Sequence, residues 1–302
     1  TQTLSLSLSL SLSLSQMYTQ GEVVDSFADS CPEFFIKDQN NRPVTPTVLV
    51  SRDQNEKPIY RQICQKYKGR YRYATLYDIR NRIPVYSAYL YTGYAKVKPK
   101  STWMIEPGVE MTTEAQAKKK TKKKAKKKAN KKAVGKHQAV NADYKNSGYQ
   151  KGHLYPRCHN CNQDQAVSTY TLTNAAPQGG GHNKAWYNQV ERVSSNVISN
   201  LCQGGSAHVV TGVVPGEVWL KKKNVRGKAK ERVNVPSCFW SAFCCTHKLK
   251  KSKYSRGFLA PTKTGMRKLN KEMSVQELNG KLTGLYATPF KVFGNLCLKS
   301  KN

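Results

Sequence analysis

The sequence predicts an α+β domain built on a central antiparallel sheet. Three observations carry that expectation. Stretches rich in β-branched and aromatic residues recur along the chain, separated by turn residues. One strong amphipathic helix pattern lies between them. A composition of 38% hydrophobic and 10% aromatic residues over 302 positions is enough for a core. Nothing in the chain approaches the roughly 18 consecutive apolar residues of a membrane span.

Residues 1–20 stand apart. Leu4 to Ser15 alternates leucine and serine, and Met17 is the first methionine. The segment is expected to be low-complexity sequence or a signal remnant outside the fold. Residues 21–302 are read as one domain. From Phe27 to Gly93 strands are expected at Thr47 to Val50, Tyr71 to Tyr77 and Pro84 to Tyr91, the last two joined by a turn at Asp78 to Arg82. On the first strand of that hairpin Tyr71 and Tyr73 should share one face and Arg70 and Arg72 the other.

Aromatics then thin out from about residue 96 to 140, apart from Trp103, and lysine and alanine take over. This reads as a flexible insertion. Lys118 to Lys132 holds 11 lysines in 15 positions, and dense like charge opposes helix formation until an anion neutralises it. Lys+Arg total 51 against 18 Asp+Glu, a formal charge of +33; without the 11 charges of the run it is still +22. A surface so cationic seeks polyanions: nucleic acid, anionic lipid or acidic glycans.

Strands resume at Ser168 to Thr173, Ala207 to Val214, Cys238 to Cys244 and Ser255 to Ala260. Between them Trp186, Val190, Val193, Val197 and Leu201 recur at steps of three and four, marking one face of a helix that Gly204 and Gly205 end. Nine cysteines point to an oxidising compartment and secretion, with up to four disulfides and one cysteine left over. Adjacent Cys244 and Cys245 point to opposite faces of a strand, so they should have different partners.

The polar residues that carry chemistry fall in three patches: Gln150-Lys151-Gly152-His153, Asn174-Ala175-Ala176-Pro177-Gln178, and Asn183-Lys184-Ala185-Trp186 followed by Glu191. In this order, with steps of nine residues from 174 to 183 and eight from 183 to 191, they resemble the DNA/RNA non-specific endonuclease family of the ββα-metal, or His-Me finger, superfamily. Within it they are similar to a secreted animal branch, over about residues 27 to 297. The resemblance implies a ββα-metal nuclease motif on the antiparallel sheet, Mg²⁺ as cofactor, DNA and RNA as partners, and cleavage of low sequence specificity.

Phosphodiester hydrolysis needs an activated water and neutralisation of charge on the phosphoryl and leaving oxygens; one imidazole and one divalent cation suffice. His153 is the candidate general base, since an unperturbed imidazole accepts a proton at neutral pH. Asn183 is the candidate metal ligand through its amide oxygen. Eight helical residues rise about 12 Å, so Glu191 is expected to hold the waters of the ion rather than the ion itself. Asn174 would position the histidine loop or touch substrate. Trp186 and Pro177 are assigned to packing.

The departure precedes His153, where the family has Asp-Arg and this chain has Gln150-Lys151. Lysine keeps the charge and loses the planar fork that grips phosphate, so weaker transition-state stabilisation is expected. Arg157 and Arg192 are nearby candidates to supplement Lys151. The competing function is a cationic binding protein that has lost catalysis. The competing site reading is structural zinc on His153, Cys158, His159 and Cys161, against disulfide pairing of Cys158 and Cys161 with each other or with distant cysteines.

Overall fold

The computed structural model describes residues 21–95, 102–110, 135–223, 227–249, 252–262 and 272–299. The strands among them are β1 (Glu22–Val24), β2 (Ile36–Lys37), β3 (Pro43–Val44), β4 (Tyr60–Tyr67), β5 (Arg70–Asp78), β6 (Ile83–Leu90), β7 (Gln150–His153), β8 (Ala175–Gln178), β9 (Ala207–Val214), β10 (Val218–Lys223), β11 (Ala229–Val235), β12 (Cys238–Thr246) and β13 (Lys253–Pro261). Seven make one sheet in the order β1-β4-β5-β6-β9-β12-β13, all antiparallel. With the helices α1 (Gln163–Ser168), α2 (Gly180–Trp186), α3 (Arg192–Leu201) and α4 (Val275–Tyr286), the architecture is α+β, as the strand pattern predicted.

Both faces of the sheet are covered, which is why the central strands read as continuous apolar runs. Along β12, Trp240, Ala242 and Cys244 enter a cluster with Phe27, Leu278 and Phe290, while Phe239, Phe243 and Cys245 enter another with Trp186, Val190 and Ile198. Phe239, Trp240 and Phe243 are fully buried, each contributing roughly 2 to 3 kcal/mol. On the first face α4 starts from a capping box, the Ser274 hydroxyl accepting from the Glu277 amide and Glu277 accepting from the Ser274 amide. On the second face α2 and α3 are joined by a π turn, Tyr187–Glu191. The run therefore starts at Gly180, before the first residue of the apolar stripe.

The 78–82 turn forms as expected, with the Asp78 carboxylate accepting from the amides of Arg80 and Asn81. Other expectations are corrected. Thr47 to Val50 is not a strand: it follows Pro46, is fastened at Thr47 to Lys291, and leaves Val50 88% exposed. Ser168 to Thr173 is not one either: Ser168 ends α1, Thr171 makes one isolated bridge to Met104, and Leu172–Asn174 is a 3-10 turn before β8. Threonine and tyrosine there are buried without a strand ladder, so their β propensity misled. Tyr71 and Tyr73 do not share a face. Gln65 opposes Tyr73 and Lys66 opposes Tyr71, so Arg72 is an extra residue, a bulge that resets the alternation. Tyr71 packs on the first cluster and Tyr73 in the second.

The expected insertion is narrower than 96–140. Met104, Glu106, Val109, Gln138 and Ala139 are buried in the domain. Lys118 to Lys132 lies outside the described residues, as does the segment 1–20.

Three disulfides form: Cys31–Cys64, Cys202–Cys245 and Cys244–Cys297. The neighbours Cys244 and Cys245 bond on opposite faces, as predicted. Cys158, Cys161 and Cys238 are free, so neither cysteine of the Cys-x-x-Cys pair is bridged.

Candidate active site

Strands β7 and β8 pair antiparallel, with Gln150 opposite Gln178 and His153 opposite Ala175. The chain turns at Gly179 into α2, so two short strands and a helix form one ββα unit on the second face of the sheet. Its close packing fixes Gly152: a Cβ there would meet the Oε1 of buried Gln178 at 2.2 Å and its Cβ at 2.9 Å, and the Cβ cannot swing away.

A cleft of about 660 Å³ opens on this unit, lined among others by Gln150, His153, Arg157, Asn183, Lys184 and Glu191. An adjoining cleft of about 620 Å³ shares Gln150, His153, Arg157 and Asn183 and adds Lys151. The strand carrying His153 and the helix carrying Asn183 and Glu191 thus face one space.

The His153 ring packs against Trp103 and Tyr170, with centroids 4.7 and 4.8 Å away, and those two rings lie 5.2 Å from each other. Its Nε2 is buried with no partner in the protein. Burial, with the Arg157 guanidinium nearby, pushes the imidazole down to about 3. The ring is neutral at physiological pH, but through desolvation rather than as the unperturbed group expected.

Asn183 does not cap its helix; Gly179 holds that place, and the Asn183 amide N–H donates to the Gly179 carbonyl. Its side-chain Nδ2 donates to the Gln150 Oε1 at 2.7 Å. The donor half of the amide is therefore committed, and Oδ1 is the half left for a cation. Glu191 ends the π turn, a feature that often marks functional sites. Burial pushes its carboxyl up to about 7, the Cys158 thiol and Arg157 drawing it back. The Cys158 Sγ donates to its Oε2 at 3.5 Å, and the Nε2 of buried His159 lies 2.9 Å from the Glu191 carbonyl oxygen.

The other candidates are dispersed. Asn174 does not reach the cleft. It is fully buried, its Oδ1 accepting from the Tyr155 amide and the Ser87 hydroxyl, its Nδ2 donating to the carbonyls of Tyr155 and Thr169. Of the two roles expected for it, these bonds match positioning of the loop after His153 rather than contact with substrate. Lys151 is half-buried, its Nζ 5.5 Å from the ring centroids of Trp103 and Tyr144. Arg157 is exposed at the cleft, whereas Arg192 is exposed one residue beyond Glu191 and does not line it. The zinc reading fails on geometry. His159 uses both ring nitrogens, one on the Tyr89 hydroxyl and one on Glu191. Among the described residues no three His, Cys, Asp or Glu side chains gather as a metal cluster.

Sequence reasoning missed Gln150 as the partner of Asn183, Trp103 as the wall behind His153, and the tyrosines Tyr94 and Tyr187 in the cleft. Only Tyr187 had a signal: it lies four residues after Asn183, one turn along the same face of a helix.

Comparison with known proteins identifies the family. Residues 53–289 match the family model of the DNA/RNA non-specific endonucleases. The human endonuclease domain-containing 1 protein is 31% identical over 234 residues, 74% of this chain and 40% of that protein. The mouse protein of the same name is 31% identical over 193 residues, 61% of this chain and 34% of that protein. The chain spans less than half the length of either relative. A solved chain of the EndoG/EndoGI complex is similar at 19% identity and a TM-score of 0.45, over 71% of this chain and 82% of that one.

Proposed function

The chain belongs to the DNA/RNA non-specific endonuclease family, and from that premise we propose that it is a secreted, Mg²⁺-dependent endonuclease that hydrolyses DNA and RNA with low sequence specificity. The observation that carries the proposal is that His153 and Asn183, from opposite ends of the ββα unit, line one cleft with Glu191 and Arg157.

The residues present fit a hard cation. The unengaged Oδ1 of Asn183 and the Glu191 carboxylate are oxygen donors, and a site with so few protein ligands suits Mg²⁺, which keeps most of its waters. When bound, the ion would neutralise charge on the phosphoryl and leaving oxygens. His153, neutral and with an unpartnered buried nitrogen, takes the proton of the attacking water. Asn183, oriented by Gln150, would hold the cation and Glu191 would order water around it, while Arg157 and Lys151 bring positive charge to the phosphate. Arg157, with its planar fork at the cleft, takes over the task that the family's arginine performs at position 151. The three disulfides support secretion.

Incubating supercoiled plasmid with the protein in Mg²⁺ or in EDTA tests the proposal. Nicking in Mg²⁺ alone is expected; retardation of DNA in a gel without shortening in either condition would replace the enzyme by the cationic binder that Gln150-Lys151 suggests. Orientation of Asn183 can be tested separately. Gln150→Ala should raise the Mg²⁺ concentration for half-maximal nicking by about 10- to 100-fold, and Gln150→Glu, which keeps the acceptor, should not. An unchanged Mg²⁺ titration in Gln150→Ala would remove Gln150 from the site.

Deleting Lys118 to Lys132 should weaken DNA binding most at low salt and flatten the dependence of log Kd on log salt, because fewer counterions are released. An unaltered slope would mean that the run stays away from phosphate.

A further inference from the structure

Two tyrosines in the cleft have no part in the chemistry described. Tyr94 and Tyr187 are 38% and 36% exposed, and they are two of the six large apolar side chains left open among the described residues. They come from different parts of the chain and meet hydroxyl to hydroxyl at 2.5 Å. Tyr187 opens the π turn one helical turn after Asn183, beside exposed Lys184. Tyr94 is held from the other side. Gly93 has φ +137, a conformation other residues rarely adopt, and the amides of Thr92 and Ala95 donate to the carbonyls of His159 and Cys158. Both rings are thus fixed to the segments that carry the site, more than a third exposed, and they line the cleft together with Arg157 and Lys184. A cationic groove beside rigid aromatic faces is how unpaired nucleic acid is gripped: charge follows the backbone, and the rings stack on the bases. Duplex bases are stacked on each other and offer no free face.

We infer that Tyr94 and Tyr187 form a stacking subsite for an unpaired nucleobase adjoining the phosphate in the cleft, biasing the protein toward single-stranded nucleic acid. The inference rests on the nuclease reading for the place of the phosphate, but base stacking requires no cleavage.

The test measures binding in EDTA, by fluorescence anisotropy, of a labelled thymidine dodecamer and of a dodecamer of the same phosphate backbone with every base absent. Wild-type protein should bind the base-bearing strand about 5- to 100-fold more tightly. Tyr187→Ala and Tyr94→Ala should each cut that preference while leaving the abasic strand and a blunt duplex bound as before. Tyr187→Phe, which keeps the ring, should retain it. Equal binding of both strands by wild-type protein would overturn the subsite whatever the variants do. So would alanine variants that keep the preference. If wild-type protein prefers the base-bearing strand yet nicks no plasmid in Mg²⁺, the hydrolase reading falls and the stacking subsite stands.

Discussion

His153→Ala is expected to abolish Mg²⁺-dependent plasmid nicking, a fall of about 10² to 10⁴-fold or more, while the protein keeps its fold. The loss follows because no described residue lining the cleft is placed as a substitute base. His159 has both nitrogens engaged, and the Glu191 carboxylate lies where it would serve the cation. The stability term is small because two effects oppose. Removing the ring empties the space beside Trp103 and Tyr170, which costs packing, but it also removes a buried nitrogen with no partner, whose desolvation costs about 1 to 3 kcal/mol. A far-UV circular dichroism melt close to that of wild type, together with intact supercoiled plasmid, is the expected pair of results. Undiminished nicking by the variant would refute the assignment of His153.

The parts of this molecule that the residues made legible are those where chemistry and spacing coincide. The hairpin around Asp78, the apolar stripe from Trp186 to Leu201 and the divergence of Cys244 and Cys245 all follow from local periodicity, and all appear in the structure. The polar residues 150, 153, 183 and 191 do meet in one cleft, because a hairpin followed by a helix puts them there. What was illegible depends on long-range packing. The bulge at Arg72 is a matter of register between β4 and β5, and no property of Tyr71 or Tyr73 announces it. Trp103 comes from a stretch whose composition resembles an insertion, yet its ring forms a wall of the histidine pocket. Asn174 has the residue type and place of a site residue, and only its four buried side-chain hydrogen bonds show that it builds the loop instead. The depressed basicity of His153 has the same origin, since desolvation is set by neighbours distant in sequence.

Opening the two disulfides at the end of β12 should have the largest effect on stability. Cys202, the C-terminal cap residue of α3, is bonded to Cys245, and Cys244 is bonded to Cys297 on the other face. They span 43 and 53 residues, and a cross-link over such a loop removes unfolded-chain entropy worth about 4 kcal/mol each. Domains of this kind are stable by about 5 to 15 kcal/mol in total. Loss of both should therefore lower the melting temperature by about 15 °C or more. Thiol titration in denaturant comes first: three reactive thiols are expected without reductant, those of Cys158, Cys161 and Cys238, and nine after reduction. Comparing the melt of the oxidised protein with that of the fully reduced one, in which Cys31–Cys64 is open as well, then bounds the effect from above, and an unchanged melting temperature after complete reduction would overturn it. The paired variant Cys202→Ala, Cys245→Ala separates the faces. It frees the end of the helical run that carries Asn183 and Glu191, so nicking should fail on heating before the sheet melts. The pair Cys244→Ala, Cys297→Ala acts on the opposite face and should lose activity only as the whole domain unfolds.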